Sequence, residues 1–398
     1  MCPYYTILNV QIIKFITILL VLSIIAGQLI KIPFGTHGGI TLLDIAIALI
    51  LILGVTKLKA LKKFPIWVIS AWIFSTLAIL SLIFTPIHLT RSEFITSLAY
   101  ILRFLGIIFV GLVVPKEAII KILLISGAGL SILGIMQLLI FPDLGFLTRY
   151  GWDPHFYRTV STFLDPNFLG AYLSLTLILL SQKKITKKWN LILFIIVYLS
   201  LLTTFSRGAF LGFAAGFLTL AILKRSINFF LLTVFLASIL TLGFVFYQKV
   251  IAQPRNIDRT QSAQFRVNSW QEGLALIQKH PILGVGFNTY RFALREYHLR
   301  PNEFIQDRGA SSNDSSLIYV ASTTGLLGFL SYLVFLFSII WVGWQNYLSK
   351  NPFGAILLSG LSVIFIQSFF SNTLFYPFLL MWIVLVLSQT HDTTYSTQ

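Results

Sequence analysis

Twelve apolar stretches decide what this chain can fold into. They cover residues 12–30, 40–56, 65–85, 94–114, 119–141, 163–181, 190–206, 209–223, 228–247, 316–343, 353–370 and 375–389. Apolar runs of about 18 residues with few charges read as bilayer-crossing helices. A helix satisfies its own backbone groups, which hydrocarbon requires. The expected fold is therefore an all-α polytopic integral membrane protein with about twelve transmembrane helices. Length alone, 398 residues, would suggest two or three soluble domains. Only 11% of residues are charged, however, against about 25% in a soluble domain. The first span is followed by no clean small-residue cleavage site, so it reads as an uncleaved span.

The loops divide by charge. Lys57, Lys59, Lys62, Lys63, Lys116, Lys121, Lys183, Lys184, Lys187, Lys188, Lys224, Arg225 and Lys350 fall on one side; Lys31, Arg91, Arg149, Arg158 and Arg207 fall on the other. The positive-inside rule puts the first set in the cytoplasm. Both termini are then cytoplasmic. The expected organisation is nine helices in 1–247, a large external loop with short helices in 248–315, three helices in 316–390 and a cytoplasmic tail in 391–398. Topology thus accounts for most of the net charge of +16, with no nucleic-acid partner.

A second asymmetry concerns arginine. Of thirteen arginines only Arg225 is expected on the cytoplasmic side. Lysine suffices to set topology, whereas arginine offers a planar fork suited to phosphate and carboxylate. The external segment from 247 to 316 is the only long polar stretch, with nine basic and six acidic residues. The single Cys2 excludes a disulfide framework. The six histidines form no helical metal pair, so neither metal nor cofactor is expected.

Several external pieces are candidates for chemistry. Arg207 sits at the tip of the turn Thr204–Ala209, beside the start of the next span. That is an anion site, or alternatively a snorkelling arginine. Arg266 lies one turn before Trp270, and Trp270, Leu274 and Ile277 share a helical face, so this stretch reads as an amphipathic helix at the outer leaflet. Asp314 is the carboxylate where the long loop meets the membrane, a base or an N-cap. Asp165-Pro166-Asn167 reads as a cap opening another span. Arg103 lies mid-span, where a charge is a functional hypothesis by default. The loop 142–162, aromatic and punctuated by Gly and Pro, reads as ordered.

These pieces together resemble the O-antigen polymerase/ligase family of polytopic glycosyltransferases. The resemblance rests on Ser206-Arg207-Gly208-Ala209, Phe265-Arg266 with Trp270, His280 through Gly286, Asp165-Pro166-Asn167 and Gly325-Leu326-Leu327-Gly328. It implies transfer of glycan from a polyprenyl-diphosphate-linked donor to an acceptor hydroxyl, at the outer face of the cytoplasmic membrane. The acceptor would be another glycan, a lipid or a protein. Arg207 and Arg266 would hold the diphosphate. Where the family usually has a His-Asn pair, this chain has Asn313-Asp314, so Asp314 is the nearest substitute base and His280 the second. Asn313, Asn167, Arg103, Arg158, Trp270 and Arg291 are the expected substrate-binding residues. The rival reading is a transporter or flippase of lipid-linked glycans, which would favour broken spans and deep charges.

Overall fold

Every apolar stretch contains a helix in the computed structural model, which describes residues 3–34, 38–59, 61–182, 188–255, 260–301 and 308–390. Lys183, Lys184 and Lys187 of one lysine loop, Asp258, Arg259, Glu303 and Asp307 of the long loop and the 391–398 tail lie outside the described residues. The helices of the first part are α1 Pro3–Ala26, α2 Leu42–Leu53, the short α3 Val55–Lys59, α4 Ile66–Ile83, α5 Arg91–Val113 and α6 Lys116–Ile140. Then come α7 Pro166–Ser181, α8 Lys188–Thr203, α9 Arg207–Lys224 and α10 Ile227–Phe246. The long loop contributes α11 Thr260–Lys279 and α12 Tyr290–Glu296; α13 Ser316–Leu348, α14 Pro352–Gln367 and α15 Pro377–Gln389 close the chain. Among the described residues the only strands are β1 Lys31–Phe34 and β2 Gly38–Thr41, an antiparallel hairpin with Lys31 opposite Thr41.

Six helices are long and apolar enough to cross a membrane, and six more apolar segments have 10–17 residues, among them Val10–Ala26 of α1. Two of the shorter helices are enclosed by the bundle. Every residue of α15 from Phe378 to Ser388 is buried, so this helix is ringed by protein rather than by lipid. α7 is likewise buried along nearly its whole length.

Glycines set the tightest helix contact. Gly208, Gly212 and Gly216 recur every four residues along α9. A Cβ at Gly212 or Gly216 would collide with Val363, and at Gly216 also press on the Ser359 carbonyl, so α9 and α14 meet nearly backbone to backbone. Small residues at this spacing are how membrane helices approach closely. Gly208 continues the same face onto Gln367 and Phe370, beyond which runs the 368–376 connection.

α13 is broken at Gly325 (φ 63°, ψ −168°). The break removes the helical bonds from Leu326 N–H to Ser322 and from Leu327 N–H to Thr323. The loop after α11 replaces them. Leu326 N–H donates to the Pro281 carbonyl (2.7 Å) and Leu327 N–H to Ile282 (3.3 Å), while Ser322 and Thr323 carbonyls accept from Val285 (3.0 Å) and Gly286 (2.9 Å). All four freed groups are satisfied, as burial among helices demands. Gly284 (φ 70°) makes the fit possible, since a Cβ there would strike the Thr323–Gly325 backbone.

α11 meets the bundle with Ser269, Gly273 and Leu276. A Cβ at Gly273 would collide with Ile318 and Asn313. The apolar face expected at the outer leaflet takes no part in this contact: Leu274 is 50% exposed, while the small Ser269 and Gly273 provide the close approach. Apolar periodicity marked the larger side chains, but contact favoured the smaller ones.

Candidate active site

The starts of α7 and α9 are tied together. Asp165 caps α7, its carboxylate accepting from Asn167 N–H (2.6 Å) and Phe168 N–H (3.2 Å). Ser206 caps α9 by accepting from Ala209 N–H (3.3 Å), and its hydroxyl donates to the Asn167 amide oxygen (2.6 Å). The turn before α9 is held from the other side by Arg158, which donates to the Thr204 (2.8 Å) and Phe205 (3.4 Å) carbonyls. Arg158 is thus buried under the turn as its brace. The outcome is that Arg207, first residue of α9, projects from a fixed base.

A cavity of about 2170 Å³ lies against these helix starts, and Arg103, Arg158, Asn167, Arg207, Arg266, Arg291 and Asp314 all line it. Its volume exceeds the roughly 300–1,000 Å³ of a typical small-molecule site. Arg207, an exposed side chain, lies over the Phe244 ring at 5.7 Å. Arg266, from α11, is close enough for its charge to act on Arg207 and on Asp165 and Asp314. Among the described residues neither Arg207 nor Arg266 makes a hydrogen bond or an ion pair. By contrast, Arg300 on the same wall is closed off by a bidentate pair with Glu272 (2.9 and 2.6 Å).

Asp314 is half-buried, facing the cavity on one side. Its backbone N–H donates to the Ser269 hydroxyl (3.1 Å), but among the described residues its carboxylate accepts no hydrogen bond. Loss of water pushes this carboxyl up to about 6, although Arg266 pulls it the other way. Ser315, not Asp314, holds the N-cap position of α13.

The other sequence candidates separate. Asn313 is fully buried and joins the loop together: its amide donates to the Ser269 carbonyl and to the Tyr290 hydroxyl (2.9 Å), and its oxygen accepts from Ser315 N–H (2.9 Å). Trp270 packs on the flank of α11 and does not line the cavity. His280 does not line it either. It ends α11, fourteen residues after Arg266 and so about 21 Å along the helix. There its ring pairs with the Tyr297 hydroxyl (2.6 Å), and burial and Lys279 lower its imidazole. Arg103 lines the cavity with its fork already engaged by Asp44 (2.5 and 2.8 Å) and the Gly39 carbonyl (2.9 Å). Arg291 is buried in the wall. Sequence reasoning passed over Asp44, although Thr41-Leu42-Leu43-Asp44 has capping-box spacing. It also passed over Asn372, in the short polar Ser371-Asn372-Thr373 connection between two apolar helices, which lines the cavity too.

Among the described residues no group of three His, Cys, Asp or Glu side chains is placed to hold a metal ion. The arrangement instead offers two cations for an anionic group and one carboxylate of raised proton affinity beside them. No curated protein matches the chain. Residues 191–333, which carry Arg207, Arg266, both glycines of the α13 break and Asp314, match the family model described as O-antigen ligase. That match bears out the resemblance read from the motifs: over residues 191–333 the chain is similar to the O-antigen ligase family, and six of its helices are long and apolar enough to cross a membrane.

Proposed function

We propose that the protein transfers glycan from a polyprenyl-diphosphate-linked donor to an acceptor hydroxyl, at the outer face of the cytoplasmic membrane. The observation that carries this reading is the pair Arg207 and Arg266, two guanidinium groups uncommitted to protein partners among the described residues and facing one cavity. The bond between the anomeric carbon and the diphosphate oxygen breaks, and the diphosphate leaves with the electron pair. The acceptor oxygen bonds to the same carbon, and its proton passes to Asp314. Charge grows on the leaving group as the bond breaks, so fixed cations there favour the transition state over the ground state. Asp314 is suited to take a proton because its affinity for one is raised to a pKa of about 6, close to working pH. Two guanidinium groups meet the charge that a divalent ion would otherwise meet, so transfer should persist in EDTA.

A transporter would also use broken helices and deep charges. Here the break in α13 leaves no backbone group for an ion, because loop 281–286 takes all four. The deep Arg103 is engaged by Asp44. The deciding experiment supplies purified protein with lipid-linked donor in detergent. Release of polyprenyl diphosphate supports transfer. An intact donor pool, with movement of donor across vesicle bilayers, supports transport instead. Cysteine labelling at positions 255 and 190 in a Cys2→Ser background tests the orientation: 255 should react from outside and 190 from the cytoplasm.

A further inference from the structure

The 368–376 connection between α14 and α15 lies outside the family match, yet it forms part of the cavity wall beside Arg207. Three contacts place it there. Gly208, the residue after Arg207, packs on Phe370. The Gln367 amide donates to the Asn167 carbonyl (2.6 Å), just ahead of the connection. Beyond it, the Tyr376 ring stacks flat on Phe168 at 4.0 Å. Asn372 stands between these anchors. Among the described residues its carboxamide makes no hydrogen bond: the side-chain oxygen is buried, and the amide NH₂ is the end left to the cavity. A buried polar atom left unpaired costs about 1–3 kcal/mol, and native structures keep few of them. On either side Ser371 and Thr373 spend their hydroxyls on nearby carbonyls, while the Gln367 amide oxygen is buried and unpaired among the described residues.

We infer that Asn372 hydrogen-bonds a hydroxyl of the donor sugar next to the diphosphate, making it a residue that determines which glycan is taken. The inference rests on the donor reading above, and it assigns the sugar side of the site. A diphosphate between Arg207 and Arg266 puts the first sugar within one residue's length of that anchor. The 368–376 connection is a wall packed directly on the start of α9, where Phe370 meets Gly208. A carboxamide offers both a donor and an acceptor, the set that sugar hydroxyls match. A site built around a substrate hydroxyl discriminates strongly, because the analogue lacking it leaves a buried group unpaired.

The test uses the full chain in nanodiscs and three probes: a short polyprenyl diphosphate without sugar, and the same lipid carrying N-acetylglucosamine or galactose. Wild type should bind at least one glycosylated probe more tightly than the bare lipid. Asn372→Ala should weaken that probe by about 5- to 150-fold, the weight of one unpaired buried hydroxyl. It should leave the bare lipid unchanged, whereas Arg207→Ala should weaken all three. If Asn372→Ala also weakens the bare lipid, Asn372→Ser is measured, which keeps a hydroxyl in less volume. Equal loss on bare and glycosylated lipid in both variants overturns the inference, as does unchanged binding of the glycosylated probe. Tight binding of the bare lipid with no added affinity from either sugar overturns it while sparing the diphosphate clamp. Binding of none of the three removes both readings.

Discussion

The Ser206 hydroxyl donates to the Asn167 amide oxygen at 2.6 Å, so the cap of α9 and the first turn of α7 share one hydrogen bond beside Arg207. We propose that Asn167 acts through Arg207, as a positioning residue. Its replacement by Ala should lower kcat by roughly 2- to 13-fold, the rate equivalent of one hydrogen bond of about 0.5–1.5 kcal/mol. The effect should vanish in an Arg207→Ala background, where nothing is left to aim. A double-mutant cycle on kcat checks this. Full additivity would mean that Asn167 serves some other purpose.

Asp314 gives the enzyme a pH signature. Its folded pKa is raised to about 6 by desolvation, so as a base it works only above that value. kcat/KM should fall as pH drops through about 6, and Asp314→Asn should abolish turnover while donor binding persists. The stability effect has the opposite sign. A carboxyl raised in the folded state favours folding of the protonated form, so this contribution is present below the ordinary value of 3.8 and lost as pH rises through about 6. Asp314→Asn should therefore melt higher than wild type at pH 8 and close to it at pH 4. A wild-type rate flat from pH 5 to 8 would exclude Asp314 as the base.

Much of this arrangement was legible in the residues. Apolar length gave the helices, and Asp165-Pro166-Asn167 gave a true cap. Arg207 stood out as a charge in a turn beside a helix start, Arg266 through its place before Trp270 and the family resemblance, and both line one cavity. What stayed hidden depends on contacts across distance. Asn313 and Asp314 are neighbours in the chain, yet one joins Ser269 to Tyr290 and the other faces open space. No local pattern separates two such roles. The partner of Arg103 lies 59 residues away, at Asp44. The face of α11 that touches the bundle stayed hidden for a related reason: close packing selected Ser269 and Gly273, which carry little hydrophobic signal.

The motifs His280–Gly286 and Gly325–Gly328 turn out to be two halves of one joint. Gly325 adopts φ 63°, and a Cβ there would strike the Ile282 carbonyl. Gly325→Ala should therefore cost more than the roughly 1 kcal/mol of an ordinary strained glycine substitution, because the backbone bonds between 281–286 and α13 must also shift. Thermal unfolding in detergent should show a clear drop in Tm, with activity falling as the folded fraction falls. Gly309, with nothing within 4 Å of a built Cβ, is the matched control and should tolerate Ala. Equal behaviour of the two would mean that the joint does not hold the loop.

Arg207 and Arg266 come from elements 59 residues apart in sequence, the start of α9 and the first half of α11. Their mutual repulsion in the free protein is felt at Arg207, and among the described residues neither guanidinium makes a hydrogen bond or a close ion pair, although the Asp165 and Asp314 carboxylates feel the charge of Arg266. An anion between them would relieve it, and more so as negative charge accumulates. Replacing either by Ala should lower the transfer rate by about 10²–10³, the usual loss for one electrostatic stabiliser. Lys should rescue only in part, since it keeps the charge and loses the fork. Two residues acting on one leaving group are expected to be non-additive, so the double variant should be little slower than the slower single one. Expression should hold, because neither side chain bonds to the fold. Single-turnover rates on lipid-linked donor, at matched protein levels, give the answer. Near-normal transfer by both single variants would sink the clamp.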